Sequence, residues 1–118
     1  MADLTTKHCK PCEGGVAPLN AERAQALLSE IESWELDEGS SEIHRVFEFK
    51  DFHATMAFVN AVAWIAHTED HHPDMEVHWG KCRVRFSTHA IGGLSENDFI
   101  CAAKVNALLG GQDRTCSL

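Results

Sequence analysis

The sequence predicts an α+β fold: a four-stranded antiparallel sheet with three helices packed on one face, in the order α-β-β-α-β-β-α. Three observations carry this. Apolar residues recur at helical spacing in three stretches, 21–32, 52–68 and 96–109. Between successive helices lie two pairs of short segments with strand character, each pair joined by turn residues. No linker or repeat divides the 118 residues, a length that suits one compact domain. Residues 1–118 are therefore read as a single domain, with 1–19 as a loose N-terminal arm.

Pro11, Pro18 and the Gly14-Gly15 pair mark that arm. Asn20 is the expected N-cap of the first helix, where Ala24, Leu27, Leu28 and Ile31 form the apolar face. Trp34 to Asp37 reads as a short strand, Glu38-Gly39-Ser40-Ser41 as a turn, and 42–49 as a second strand. Val46-Phe47 breaks its alternation, which predicts a bulge or burial on both faces. Asp51 caps the second helix, whose stripe is Phe52, Met56, Val59, Ala63 and Ala66, widened by Phe58, Val62 and Ile65. His71-His72-Pro73 cannot continue it, because the residue before proline is pushed out of the α region. Met75, Val77 and Trp79 then alternate with polar residues, as do Cys82, Val84, Phe86 and Thr88, with Gly80-Lys81 as the two-residue turn between the strands. Ser95 caps the last helix with Asp98 three residues on, close to a capping box, and Gly110-Gly111 end it. The bare face of the sheet must be wet or covered by another subunit; Trp79, Phe86 and the strand edges favour self-association.

Composition narrows the function. The formal charge of −8 at pH 7 argues against direct nucleic-acid binding, which needs clustered Lys and Arg. The densest basic run, Lys81, Arg83 and Arg85, alternates along one strand and reads as a solvated or interface face. Ala54 to Ala66, the longest apolar stretch, is too short for a membrane span and is broken by Asn60. Met1 to Lys10 has no apolar signal segment, so the expected location is cytoplasmic. The five cysteines (Cys9, Cys12, Cys82, Cys101 and Cys116) are odd in number and unevenly placed, unlike a disulfide framework.

The eight histidines are many for this length. A hairpin turning at Gly80-Lys81 brings His72 and His89 to one end of the sheet, beside His71. Imidazoles gathered there offer both an acid and a base near neutral pH. The same residues also read as surface or capping histidines. A metal site is a third reading, with Cys9-x-x-Cys12 as a further pair of ligands. No second pair completes a four-ligand set, and adjacent His71 and His72 point apart if the backbone is extended. By itself the Cys9-Cys12 pair reads as an inert thiol pair in the arm. Asp98 and Trp79 have ordinary structural readings, as a first-turn acid and a core or interface aromatic.

Together these residues resemble the signature of the pterin-4a-carbinolamine dehydratase family: His-His-Pro, an aromatic, a His and an Asp. Here His71-His72-Pro73 is followed after five residues by Trp79, after nine more by His89 in Ser87-Thr88-His89, and after eight more by Asp98. Where the family often carries an acid, four residues before His71, this chain has His67, with Glu69 and Asp70 nearby. The resemblance extends more loosely over residues 20–110. It implies dehydration of 4a-hydroxytetrahydropterin to quinonoid dihydropterin and water, with no cofactor and no metal. His71 and His89 would donate protons to the departing hydroxyl. His72 would hold the pterin and help remove the N5 proton. Asp98 would orient His89 or anchor the helix near it, and Trp79 would pack the pocket wall. Pro73, Ser87 and Thr88 complete the implied substrate contacts. Implied partners are a second or further copies of the chain, as homodimer or homotetramer, and an aromatic amino-acid hydroxylase. Protein-binding roles, as a dimerisation cofactor or transcription partner, and a place in molybdopterin metabolism remain alternatives within the resemblance.

Overall fold

The computed structural model describes residues 4–10 and 17–115, with side chains through 109. Three helices are present, α1 (Ala21–Leu28), α2 (Phe52–Glu69) and α3 (Glu96–Thr115). Four strands, β1 (Glu35–Leu36), β2 (Ile43–Glu48), β3 (Asp74–His78) and β4 (Lys81–Phe86), complete the expected α+β order. They form one antiparallel sheet in the order β1-β2-β4-β3.

The caps behave as their side chains dictate. Asn20 accepts from the Arg23 N–H (2.8 Å) and Asp51 from the Ala54 N–H (2.8 Å), each satisfying a donor that the helix leaves orphaned. α2 stops at Asp70, which takes the left-handed conformation (φ 53°), while the His71 N–H reaches back to the Ala66 carbonyl (3.1 Å). This closure and Pro73 turn the chain out of the helix and into β3.

The sheet buries one face. Ile43, Phe47, Cys82, Val84 and Phe86 point inward and are almost wholly buried with Leu27, Phe58, Val62, Leu94, Phe99 and Ile100. Trp34 and Phe47 meet edge to face at 6.0 Å, and Phe47 lies 4.6 Å from Phe58, so aromatic packing joins β2 to α2. The opposite face is a charged lattice in which Arg85 reaches Glu76 (3.1 Å) and Glu42 (3.5 Å), and His44 reaches Glu35 (3.2 Å).

Five local expectations are corrected. β2 pairs with β4 without interruption from Ile43↔Phe86 to Glu48↔Lys81, so there is no bulge; Phe47 takes the core side and Val46 the open side. The buried face of α2 is Thr55, Phe58, Val62, Ala66 and Glu69, whereas Phe52 and Trp64 are exposed. A helix apolar nearly all round allows more than one stripe, and only its contact with the sheet selects the face. Phe86 is 1% exposed and offers nothing to a second subunit, whereas Trp79 is 66% exposed. α3 continues through Gly110-Gly111, since glycine weakens a helix by about 1 kcal/mol relative to alanine without forbidding it. The β3–β4 turn is Trp79-Gly80, not Gly80-Lys81, because His78 pairs with Lys81. Pairing with β2 decides this: Lys81 is held opposite Glu48, and the Gly80 carbonyl accepts the Phe49 N–H at 2.8 Å. A Cβ on Gly80 would stand 3.2 Å from the Phe49 carbonyl oxygen, so the approach needs a small residue.

Candidate active site

The shifted turn changes which histidine faces what. Asp74 pairs with Arg85, and continuing that register places His72 opposite Ser87 and His71 opposite Thr88. After β4, Thr88 and Gly93 bridge each other (Thr88 N–H to the Gly93 carbonyl, 2.7 Å) around a 3-10 turn, His89–Ile91. Gly92 closes that turn at φ 69°, a conformation glycine adopts without strain. This small loop displays His89 beside the start of β3.

A cavity of about 590 Å³ opens at this end of the sheet. His71, His72, His89, Ser87 and Thr88 line it, so the three imidazoles expected to converge do share one space. His72 and His89 are exposed, whereas the His71 side chain is 12% exposed and stacks on Phe86 with ring planes 8° apart.

Asp98 stands behind His71, fully buried. Its Oδ1 is 2.6 Å from His71 Nε2, and its Oδ2 accepts from the Thr88 hydroxyl (2.7 Å) and the Ser95 N–H (2.9 Å). The Ser95 bond is the carboxylate half of the expected capping box, while Ser95 Oγ turns to Thr88 Oγ1 at 2.8 Å. With Thr88 and Ser95 both donating to Oδ2, a carboxylate needs a donor at Oδ1, which assigns the proton to His71 Nε2. Asp98 therefore orients His71 and not His89. The register explains this: His71 comes level with Thr88, which already holds Asp98.

Two expected contacts fall elsewhere. Trp79 does not line this cavity: it sits in the turn at the far end of β3, roughly 17 Å along a five-residue strand. Pro73 is outside the lining as well, serving the turn into β3. His67 is exposed and lies beside Trp64, with ring centroids 5.7 Å apart and planes tilted by 38°.

The sequence reading missed the opposite wall, formed by Cys9, Lys10, Glu69 and Asn97. Residues 4–10 are not loose: Leu4 is 4% exposed in the core. Glu69 is buried and accepts from the Cys9 N–H (2.7 Å), with His8 Nδ1 at 3.0 Å and Lys104 Nζ at 3.6 Å. Burial alone would raise its pKa, but these three partners together hold the carboxyl below the ordinary glutamate range. Cys9 Sγ lies 3.5 Å from Cys101 Sγ. The Cys101 thiol is pushed far upward by its hydrogen bond to Cys9 and by burial. Cys12, the other half of the C-x-x-C pair, lies outside the described residues. Among the described residues, no three His, Cys, Asp or Glu side chains converge as a metal site, and no helix is long and apolar enough to cross a membrane.

The family model described as pterin 4 alpha carbinolamine dehydratase matches residues 17–108. Proteins provisionally named pterin-4-alpha-carbinolamine dehydratase are similar along most of their length. One from Nitrosomonas eutropha is 60% identical, covering 92% of this chain and 96% of its own. One from Legionella pneumophila (strain Corby) is 55% identical with the same coverage. Among solved structures, the transcriptional coactivator/pterin dehydratase from Brucella melitensis has a TM-score of 0.75 at 31% identity, covering 79% of this chain and 99% of its own. A pterin dehydratase-like protein identified as a RuBisCO assembly factor in the alpha-carboxysome shares the fold at 22% identity, with a TM-score of 0.58 over 67% of this chain and 92% of its own. The chain belongs to the pterin 4 alpha carbinolamine dehydratase family.

Proposed function

We propose that the chain dehydrates 4a-hydroxytetrahydropterin, releasing water and quinonoid dihydropterin. The C4a–O bond breaks as the hydroxyl takes a proton, and the N5 proton leaves to a base. One observation carries this reading: a carboxylate-held imidazole, His71 on Asp98 at 2.6 Å, shares a cavity with two exposed imidazoles. Groups titrating near neutral pH can serve as acid and base in turn, each contributing typically about 10²–10⁴-fold. His71 and His89 act as proton donors to the departing hydroxyl. His72, on the strand-entry side, contacts the pterin and takes the N5 proton. Ser87 and Thr88 border the ring, with Thr88 also fixing Asp98.

The substrate class places the chain after an aromatic amino-acid hydroxylase, whose reaction leaves the 4a-hydroxylated pterin. Rapid generation of that pterin by such a hydroxylase, with and without this protein, tests the function. Accelerated formation of quinonoid dihydropterin supports it, and a rate equal to the spontaneous one refutes it.

Self-association is a second property we infer, from Trp64 (67% exposed) and Trp79 (66% exposed), large apolar surfaces left uncovered in one subunit. Sedimentation should show a dimer or tetramer that Trp64→Ala or Trp79→Ala weakens; a monomer at about 100 μM refutes it.

A further inference from the structure

Residues 4–10 are fastened to the molecule by bonds that the proton chemistry does not require. Lys104 Nζ donates to the Thr5 carbonyl (2.9 Å), and Lys7 Nζ pairs with Glu96 (2.7 Å). Closer to the cavity the fastening tightens. Asn97, 6% exposed, grips Lys10 on both sides: the Lys10 N–H donates to Asn97 Oδ1 (3.0 Å), and Asn97 Nδ2 donates to the Lys10 carbonyl (2.6 Å). Glu69, 8% exposed, accepts the Cys9 N–H at 2.7 Å. Cys9 Sγ adds a contact to the Asn97 carbonyl (3.6 Å). Two buried polar side chains thus each bond the backbone of one short segment. Losing that segment would leave both buried side chains short of hydrogen-bond partners. Cys9 and Lys10 in turn line the same cavity as His71, His72 and His89.

We propose that Cys9 and Lys10 are the closing wall of the histidine cavity, held there by Asn97 and Glu69 as positioning residues, so that docking of residues 4–10 sets how tightly the pterin is retained. This rests on reading the cavity as the pterin site. In this reading Cys9 and Lys10 supply no group to the proton transfers. Their contacts are therefore worth the same in the ground state and the transition state, and loosening them raises KM with little change in kcat.

The test uses the full chain with Cys12→Ser, so that Cys9 has Cys101 as its partner, and compares it with the same chain carrying Asn97→Ala. Under reducing conditions the Asn97→Ala chain should show a KM about tenfold higher, kcat within about twofold, and a matching loss of affinity for 7,8-dihydrobiopterin by calorimetry. Oxidation with diamide then supplies a substitute fastening. The Cys9 and Cys101 thiols lose two protons and two electrons to form one S–S bond, and the diazene is reduced to the hydrazine. The sulfurs, 3.5 Å apart, close to about 2.05 Å in that bond. With the bond verified by peptide mass spectrometry, KM should return to within about threefold of the parent. A reduced Asn97→Ala chain that keeps the parent KM overturns the proposal, and so does a cross-linked chain whose KM stays high. A parent that neither turns over nor binds dihydrobiopterin overturns the pterin reading instead. The fastening is then judged by Cys9 alkylation with iodoacetamide, expected about tenfold faster in Asn97→Ala; an unchanged rate overturns it.

Discussion

Asp98→Asn removes one charge from a fully buried position while keeping the side chain's shape. The Ser95 N–H, 2.9 Å from Oδ2, is a backbone donor that cannot reverse, so the new amide must leave its oxygen there. Its NH₂ then faces His71 Nε2 at the position where Oδ1 stood 2.6 Å away. Two donors cannot share that contact, so His71 must move its proton to Nδ1 or turn away. Turning away withdraws the ring from the substrate, and the proton shift leaves Nδ1–H on a neutral ring with no carboxylate behind it. Loss of a correctly held acid–base group should lower kcat by about 10²–10⁴-fold. The stability cost is smaller. Exchanging a charge-assisted bond for a strained neutral one costs about 2 kcal/mol, or about 8 °C in Tm for a domain of this size. The assay is stopped-flow dehydration of hydroxylase-generated 4a-hydroxytetrahydropterin, with nitrogen NMR of the His71 ring as the signature of its tautomer. A folded Asp98→Asn chain that turns over within about threefold of the parent, its ring still protonated at Nε2, refutes the reasoning.

Other consequences are equally direct. His72→Ala and His89→Ala should each lower turnover at least about tenfold with an unchanged circular dichroism spectrum, because both side chains are exposed and hold nothing together; parental rates in both defeat their assignment. Glu69 is held below its ordinary value of 4.5, so its stabilising effect is present above that pH and is lost as pH falls through the folded value. Melting temperature should therefore drop more steeply below about pH 4.5 in the parent than in Glu69→Gln, and parallel curves count against the clamp. Phe47→Ala should destabilise by about 3–5 kcal/mol, since Phe47 is 2% exposed and packs on both Trp34 and Phe58. A Tm within about 5 °C of the parent would mean that the β2–α2 contact is not what holds the layers together.

Element types were legible along the chain because each is a local pattern. Period-four stripes, alternation and the caps Asn20, Asp51 and Ser95 report whether a segment is helix or strand and where it starts. The gathering of His71, His72 and His89 was legible too, since a hairpin turning anywhere near Gly80 brings its two outer ends together. Facts that depend on a second element were not. The turn moved to Trp79-Gly80 because β2 claims Lys81, and that one step matched His71, not Pro73, with Thr88 and so with Asp98. The buried face of α2 was chosen by the sheet beneath it. Residues 4–10 carry no periodicity, and their order comes from distant partners, among them Glu69 and Asn97, which lie 60 and 87 residues away from the atoms they hold. Periodicity tells how a segment meets its own neighbours along the chain. Which distant side chain completes a buried hydrogen bond is settled only when the layers close and every desolvated polar group must find a partner.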